Sequence, residues 1–267
     1  MAGATTAQRG TSDRRPAARS RLRLRRRGGG RPRRRLLALL LVSAVALGGF
    51  GAWALYGSSW LRIERVSVHW TGGPHELTAD QILGAADVPL NSPMASLDKD
   101  AVRDRLLERL PRLESVRVVR AWPHGVSLKV TEREAQALIP IPGGYREVDA
   151  HGVVFAEAAE ALPGVPLLDL DLEPSPSLRR FGEDRIRRAA VSVAVALPEE
   201  LRGELRAIRV ASYDSITLEL SGDRTVRWGS AERPEAKVAA LLAVMKVAGD
   251  ARYFDVSAPT APASAEG

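Results

Sequence analysis

The hydrophobic and polar positions divide the chain into a charged beginning, one long apolar segment and a larger region of short alternating patterns. Residues 36–61 contain no charged side chain, and their apolar part, residues 36–56, is 21 residues long. As a helix that length spans about 32 Å, which matches a bilayer hydrocarbon core of roughly 30 Å. Trp53, Tyr56 and Trp60 lie at its far end, where aromatic rings favour the membrane interface. We therefore predict a transmembrane helix, embedded in the lipid bilayer, over residues 36–56.

The segment before this helix, residues 1–35, holds thirteen arginines and one acidic residue, a net charge of +12. It has no periodic apolar face, so we predict a disordered tail. By the positive-inside rule the tail is cytoplasmic and the residues after the helix are extracytoplasmic. Nucleic-acid binding by the tail is a weaker alternative, because no aromatic residues interleave with its arginines. A cleaved signal peptide is an alternative to the anchor, because Ala52-Trp53-Ala54 has the small-x-small form of a cleavage site.

Residues 62–131 alternate in the order strand, helix, helix, strand, strand. Val66, Val68 and Trp70 lie on one face of the first strand. The helices begin with recognisable N-caps, of which the first is a Thr-x-x-Gln capping box. The caps are Thr78 and Asp98, and the strands are predicted at residues 63–70, 116–121 and 126–131.

Residues 132–257 read as a second α+β unit built on an antiparallel sheet. A hairpin is predicted around residues 149–152, and a short strand or extended linker at residues 165–168. A helix over residues 183–197, a three-stranded meander, a last helix that buries Val238, Leu241, Leu242 and Met245, and a final strand at residues 253–257 follow. Residues 258–267 are rich in Pro, Ala and Ser, and we predict that they are disordered.

Composition excludes several classes of function. The chain has no cysteine, so disulfides, cysteine-ligated zinc and thiol catalysis are excluded. Beyond the tail, 26 basic and 31 acidic residues give a net charge of −5, which is not typical of a nucleic-acid-binding domain. The phosphate-binding, nucleophile-elbow and zinc-protease motifs are all missing from the sequence.

Two groups of polar residues are candidates for a chemical site. Asp169, Asp171 and Glu173 have the spacing of carboxylates that could hold calcium, but they read better as the solvated face of an extended segment. Asp149 and His151 could form an acid–base pair, and a hairpin turn explains them equally well. We predict no catalytic, metal or cofactor site and no small-molecule substrate, so binding is the better default.

A series of motifs, in order along the chain, resembles the bacterial cell-division family FtsQ/DivIB in its actinobacterial form. The most specific, in residues 110–134, is similar to a Leu-Pro…Val-x-x-Trp-Pro…Val-x-Glu-Arg signature. Residues 148–155 are similar to the family's Val-Asp-x-x-Gly-x-Val-Phe hairpin. Residues 225–230 with Lys237 resemble its late strand-to-helix join, and residues 255–259 resemble its closing Asp-Val-Ser-x-Pro.

The resemblance implies a POTRA domain over residues 62–131 and a β domain over residues 132–257, without catalysis. It implies a divisome scaffold, concentrated at the septum, that binds the coiled-coil partners FtsL and FtsB/DivIC. Through them it would help to recruit and regulate FtsW and its septal transpeptidase. The rival interpretations are a POTRA module that handles polypeptides at the envelope and a membrane-tethered cell-wall hydrolase or sensor.

The sequence also predicts where a partner binds. If residues 253–257 close the sheet, their backbone groups are open on one side, and an added strand would pair with them. In the family the partner adds to the terminal strand of the β domain. The predicted site is the set Tyr253, Phe254, Asp255, Val256 and Ser257; the alternative is that these residues are ordinary sheet core.

Overall fold

The computed structural model describes residues 31–57, 59–172 and 176–266. Most of the arginine-rich segment therefore lies outside the described residues, but its last five residues begin helix α1 (Arg31–Ala52). A π-helical turn, Trp53–Gly57, follows directly. Within the described residues, Arg33–Tyr56 is the one helix long and apolar enough to cross a membrane, as predicted. The chain separates after Ala52 into this helical unit and a larger unit that holds all the described strands.

The first part of the larger unit has the predicted strand-helix-helix-strand-strand order. It comprises β1 (Arg65–Gly72), α2 (Ala79–Ala86), α3 (Lys99–Arg109), β2 (Leu113–Ala121) and β3 (Gly125–Glu132). Strand β3 lies in the middle, parallel to β1 and antiparallel to β2. Both predicted caps are present: Thr78 forms a capping box with Gln81, and Asp98 accepts hydrogen bonds from two backbone N–H groups.

A compact apolar core joins these helices to the sheet. The alternating residues Val126, Leu128 and Val130 of β3 are buried as the sequence predicted, against Ile82 and Leu106 of the helices. Burial of each such side chain stabilises the fold by about 1.5–3 kcal/mol relative to exposure, before chain entropy is subtracted. The alternation of β3 therefore fixes which face of the sheet receives the two helices.

The second part contains one nine-stranded sheet, in the order β12-β11-β10-β9-β8-β7-β4-β5-β6. The sheet is mixed, and the prediction of an antiparallel sheet was wrong for three strand pairs: β4 with β7, β7 with β8, and β10 with β11. Helices lie between the members of the last two pairs along the chain, so each second strand starts again from the same end of the sheet. The strands are β4 (Ala137–Ile141), β5 (Gly144–Val148), β6 (Val154–Ala158), β7 (Leu167–Leu170), β8 (Leu205–Ser212), β9 (Ser215–Leu220), β10 (Arg224–Gly229), β11 (Tyr253–Asp255) and β12 (Ala263–Ala265).

Four helices accompany this sheet, two of which the sequence did not predict. The predicted pair are α5 (Glu183–Ala196) and α7 (Pro234–Val247); the additional pair are α4 (Pro176–Phe181) and α6 (Glu199–Glu204). The helix predicted over residues 183–197 is confirmed as α5, in which Ile186, Ala190 and Val193 are buried. For α7 the prediction was right at Leu241, which is buried, and wrong at Leu242, which is 46% exposed, because the helix turns Lys237 inward with Leu241.

The predicted disorder of residues 258–267 does not fit the described C-terminus. After a turn in which the Ala261 N–H donates to Ala258 O, Ala263–Ala265 pairs with β11. This segment has no apolar alternation, because its three side chains are small and exposed. Their strand conformation comes from pairing with β11 and not from side-chain burial.

Candidate partner-binding edge

The predicted binding strand is internal to the sheet. Strand β11 pairs with β10 on one side and with β12 on the other, so the expectation that residues 253–257 form an open edge was wrong. The outermost strand at this end of the sheet is β12, three residues long. Within the described residues no strand pairs with its outer side. The candidate edge is therefore displaced by one strand, from β11 to β12.

Backbone hydrogen bonds show which groups β12 presents outward. Arg252 O accepts from Thr225 N–H at 2.7 Å and Val256 N–H donates to Arg227 O at 3.0 Å, so these groups of the β11 segment face β10. Successive residues of a strand present their backbone groups to alternate sides. Those of Tyr253 and Asp255 therefore face β12, where their register partners are Ala265 and Ala263.

Ser264 lies between those two partners, so its N–H and C=O point away from β11 to the open side of the sheet. Pro262, two residues earlier, has no N–H to offer. The free edge thus presents Ser264 as the central backbone donor and acceptor. Its side chain and those of its two neighbours are exposed and uncharged, so they leave room for an added strand.

The five residues of the predicted site divide between core and surface. Phe254 and Val256 are buried in the main core of the sheet domain, whereas Tyr253 is 37% exposed. Phe254 and Val256 are therefore ordinary sheet core, as the alternative interpretation has it for these two residues. Whether the outward-facing residues contact a partner stays a prediction.

A tight turn ends the segment after β11. The carboxylate of Asp255 accepts hydrogen bonds from the Ser257 N–H at 2.9 Å and from the Ser257 hydroxyl at 2.6 Å. Burial alone would raise the pKa of Asp255, but these bonds, together with the positive charges of Arg227 and Lys237, lower it below its usual range. Asp255 is therefore a negative charge held in place where the chain leaves β11.

The side of the turn is closed by the end of β10. Gly229 has φ +80°, and a Cβ atom at this position would lie 2.9 Å from the Cβ of Ser257. A side chain there would be strained by the backbone conformation and would also collide with the turn. The sequence motif Trp228-Gly229-Ser230 therefore has a geometric reason: β10 and the exit of β11 are in direct contact.

The junction between the two domains is held by buried charges. Glu132, 1% exposed, accepts from the Trp70 indole N–H at 2.9 Å and from the backbone N–H groups of Glu76 at 2.7 Å and Leu77 at 3.2 Å. Arg112 reaches Glu76 at 2.5 Å and Glu147, of the sheet domain, at 2.9 Å. Within the predicted signature, Glu132 thus ties the end of β3 to the segment between β1 and α2, and Arg112 connects the two domains.

The acid–base alternative at Asp149 and His151 is replaced by the turn. Asp149 accepts from the backbone N–H groups of His151 at 2.9 Å and Val153 at 2.8 Å, and it pairs with Arg133. The imidazole of His151 instead lies 3.5 Å from Glu114. The carboxylate is therefore engaged in the hairpin and in the domain junction.

Two of the three carboxylates of the calcium alternative lie in the described part of the chain. Asp169 and Asp171 are exposed, and Glu173 lies outside the described residues. In the described part of the chain no three histidine, aspartate or glutamate side chains are grouped to hold a metal ion.

Two family models match the larger unit of this chain. A POTRA domain of the FtsQ type matches residues 61–133, and the C-terminal domain of the cell division protein FtsQ/DivIB matches residues 137–257. The chain belongs to the FtsQ/DivIB family. The α+β fold described above, with a POTRA domain followed by a sheet-rich C-terminal domain, agrees with this assignment.

Curated FtsQ proteins agree with this assignment. The cell division protein FtsQ of Streptomyces coelicolor is 46% identical over 268 residues, covering 99% of both chains. FtsQ of Streptomyces venezuelae is 47% identical over 98% of this chain and 94% of its own length. FtsQ of Mycolicibacterium smegmatis is 33% identical over 84% of this chain and 62% of its own. Membership in the FtsQ family and the apolar helix together indicate a single-pass membrane protein of cell division.

Sequence reasoning missed two features of the site. Strand β12 has no apolar alternation, so no local pattern indicated it. The buried ammonium of Lys237 donates to Trp228 O at 2.9 Å and Ser230 O at 2.7 Å, beside the Gly229 contact. Lys237 was noted only as a motif residue, although its position three residues after a proline helix start was a signal that it belongs to the first turn of α7.

Proposed function

We propose that this FtsQ-family protein is a non-catalytic membrane scaffold of the divisome. Its arginine-rich N-terminus is cytoplasmic, and its POTRA and β domains are extracytoplasmic at the division septum. There it binds coiled-coil partners of the FtsL and FtsB/DivIC types and couples them to the FtsW–transpeptidase pair that makes septal peptidoglycan. Family membership and the charge asymmetry around the apolar helix support this proposal.

The observation that carries the binding part of the proposal is the free outer side of β12. A partner segment that enters as a further strand gains backbone hydrogen bonds from Ser264 and contacts with outward-facing side chains, including Tyr253 beneath β12. Only three residues of β12 are available, so the partner must gain additional contacts from neighbouring surfaces to bind tightly. This geometry favours a reversible scaffold over a permanent subunit.

The five residues predicted from sequence, residues 253–257, support the binding edge in this proposal but do not form it. Tyr253, Asp255 and Ser257 face outward at the supporting strand, and Phe254 and Val256 hold that strand in the core. Val256→Pro is therefore a poor test of binding, since the Val256 N–H donates to Arg227 O inside the sheet. Substitutions on β12 separate binding from folding better.

Co-purification from membranes tests the proposal directly. The full-length protein, expressed with its FtsL- and DivIC-type partners from the same organism, is expected to retain both after detergent extraction. A version ending at residue 259 keeps the Asp255 turn but lacks β12, and it is expected to lose them. Retention of the partners by the shortened, folded protein would contradict binding at this edge.

A membrane-tethered cell-wall hydrolase or sensor is one of the rival interpretations, and it has its own test. The full-length protein in detergent is incubated with purified cell wall, and soluble muropeptides are measured. Release of fragments above the level of a heat-treated sample would contradict the non-catalytic scaffold.

A further inference from the structure

The buried lysine of α7 is an unusual feature of the sheet domain. Lys237 is 1% exposed, and within the described residues no carboxylate lies within ion-pair distance of its ammonium. A buried charge whose neighbouring carboxylates all lie beyond ion-pair distance is costly, and an apolar side chain of similar length would avoid that cost. The lysine must therefore supply something that packing alone does not.

What the ammonium supplies is two hydrogen bonds to a bent piece of backbone. It donates to the carbonyl oxygens of Trp228 at 2.9 Å and Ser230 at 2.7 Å, and it lies 5.8 Å from the centroid of the Trp228 ring. These carbonyls flank Gly229, where the pairing of β10 with β9 shifts its register. One cation thus satisfies two acceptors that straddle an irregularity in the sheet.

The same bent backbone supports the strand that carries the edge. Gly229 lies against Ser257, and the Val256 N–H donates to Arg227 O at 3.0 Å. Ser257 in turn closes the turn on Asp255, whose own register partner on the outer side is Ala263 of β12. A short series of contacts therefore leads from the ammonium to the β12 edge.

From this geometry we infer that Lys237 is a positioning residue for the partner-binding edge. Its hydrogen bonds to Trp228 O and Ser230 O fix the backbone of Gly229, against which the end of the β11 segment packs. The position of β11 in turn sets the position at which β12 pairs with an added strand. The effect of Lys237 on the stability of β11 can be measured in this protein without a partner. Its effect on partner affinity rests on the proposed function.

The test compares regional hydrogen exchange in the full-length protein in lipid nanodiscs. Lys237→Met keeps the length of the side chain and removes its donors. Lys246→Met is the matched control, since Lys246 lies on the same helix, is exposed and makes none of these bonds. Lys237→Gln retains an amide donor and tests rescue.

Amides of residues 253–257 are expected to exchange at least tenfold faster in Lys237→Met, with less change in Lys237→Gln and none in Lys246→Met. Exchange in the β5–β6 hairpin, at the opposite end of the sheet, is expected to stay at the wild-type rate. Unchanged exchange at residues 253–257 in a folded Lys237→Met protein would overturn the inference, as would an equal increase throughout the sheet. If Lys237→Met does not fold, the graded effect of Lys237→Gln against wild type decides in the same way.

Partner affinity is then measured on the same samples. A tenfold or greater loss in Lys237→Met, partly recovered in Lys237→Gln, supports the role in binding. If even the wild-type protein binds no partner at this edge, the proposed function fails, while the exchange result still decides the role of Lys237 within the chain.

Discussion

Replacing Ser264 with proline tests the binding edge at a single backbone group. The N–H of Ser264 faces the open side of β12, whereas the inward pairing of β12 depends on the flanking residues Ala263 and Ala265. Proline removes the outward donor and places a ring where an added strand would approach. The substitution therefore affects an incoming strand far more than the sheet itself.

The expected magnitude follows from the one hydrogen bond that is lost. A backbone hydrogen bond contributes about 0.5–1.5 kcal/mol net, and a partner carbonyl left unpaired in a closed interface costs about 1–3 kcal/mol. We therefore expect Ser264→Pro to weaken partner binding by about 1–3 kcal/mol, which is roughly a 5- to 150-fold increase in Kd. Ser264→Ala keeps the N–H and is expected to bind as the wild type does.

The assay is isothermal titration of the full-length protein in nanodiscs with the extracytoplasmic segment of the DivIC-type partner. Hydrogen exchange at residues 253–255 in the same samples shows whether β11 remains paired. Wild-type affinity in a Ser264→Pro protein whose β11 is intact would refute strand addition at this edge. Equal losses in the proline and alanine variants would mean that the side chain, and not the backbone, makes the contact.

Three further predictions concern the buried charges. Glu132→Ala leaves three N–H donors of the domain junction unpaired and is expected to lower the free energy of unfolding by roughly 2–5 kcal/mol, measured by denaturant titration. Arg112→Met leaves the buried carboxylate of Glu147 without its cation and is expected to lower the free energy of unfolding by about 3 kcal/mol. Adding Glu147→Gln should restore part of that stability. If the two substitutions are purely additive in the double variant, the ion pair does not contribute to stability. Burial, and next the charge of Arg233, hold the pKa of Lys237 below its ordinary 10.5, so the unfolded chain binds this proton more tightly. The stability of the wild type relative to Lys237→Met should therefore rise as pH increases from that lowered pKa towards 10.5, and a pH-independent difference between their denaturation midpoints would contradict this.

Much of the fold was predictable because its signals are local. The capping box at Thr78 and the alternation of Val126, Leu128 and Val130 depend on residues close in sequence, and the structure has both. The single apolar helix follows from length and composition alone. In these cases the side chains that specify the element also belong to it.

The features that were missed depend on partners distant in sequence. Strand β12 is a strand only because β11 offers a ladder to it, and its Ala-Ser-Ala sequence carries no pattern of its own. Helix α7 has a weakly amphipathic sequence, so its apolar residues did not fix which face is buried. Lys237 faces inward because its ammonium donates to the carbonyls of Trp228 and Ser230. The pattern of apolar residues in the sequence does not indicate where such acceptors lie.

The parallel strand pairs were missed for a related reason. A meander of short strands predicts antiparallel neighbours, and the sequence does not state that β7 inserts between β4 and β8. Strand β11, the candidate binding strand, was therefore correctly predicted as a strand near the end of the sheet and wrongly taken as its outermost member. One added strand changes which backbone groups a partner meets.

Imaging of the protein in dividing cells tests whether it is a divisome scaffold that depends on β12. A fluorescent protein fused to the N-terminus of the full-length chain replaces the native copy, beside a second strain whose chain ends at residue 259. We expect bands at future septa for the full-length fusion and their loss when β12 is removed, with both proteins present in the membrane at equal amounts. Uniform fluorescence around the envelope for the full-length protein, with normal septation after deletion of the gene, would contradict a divisome scaffold.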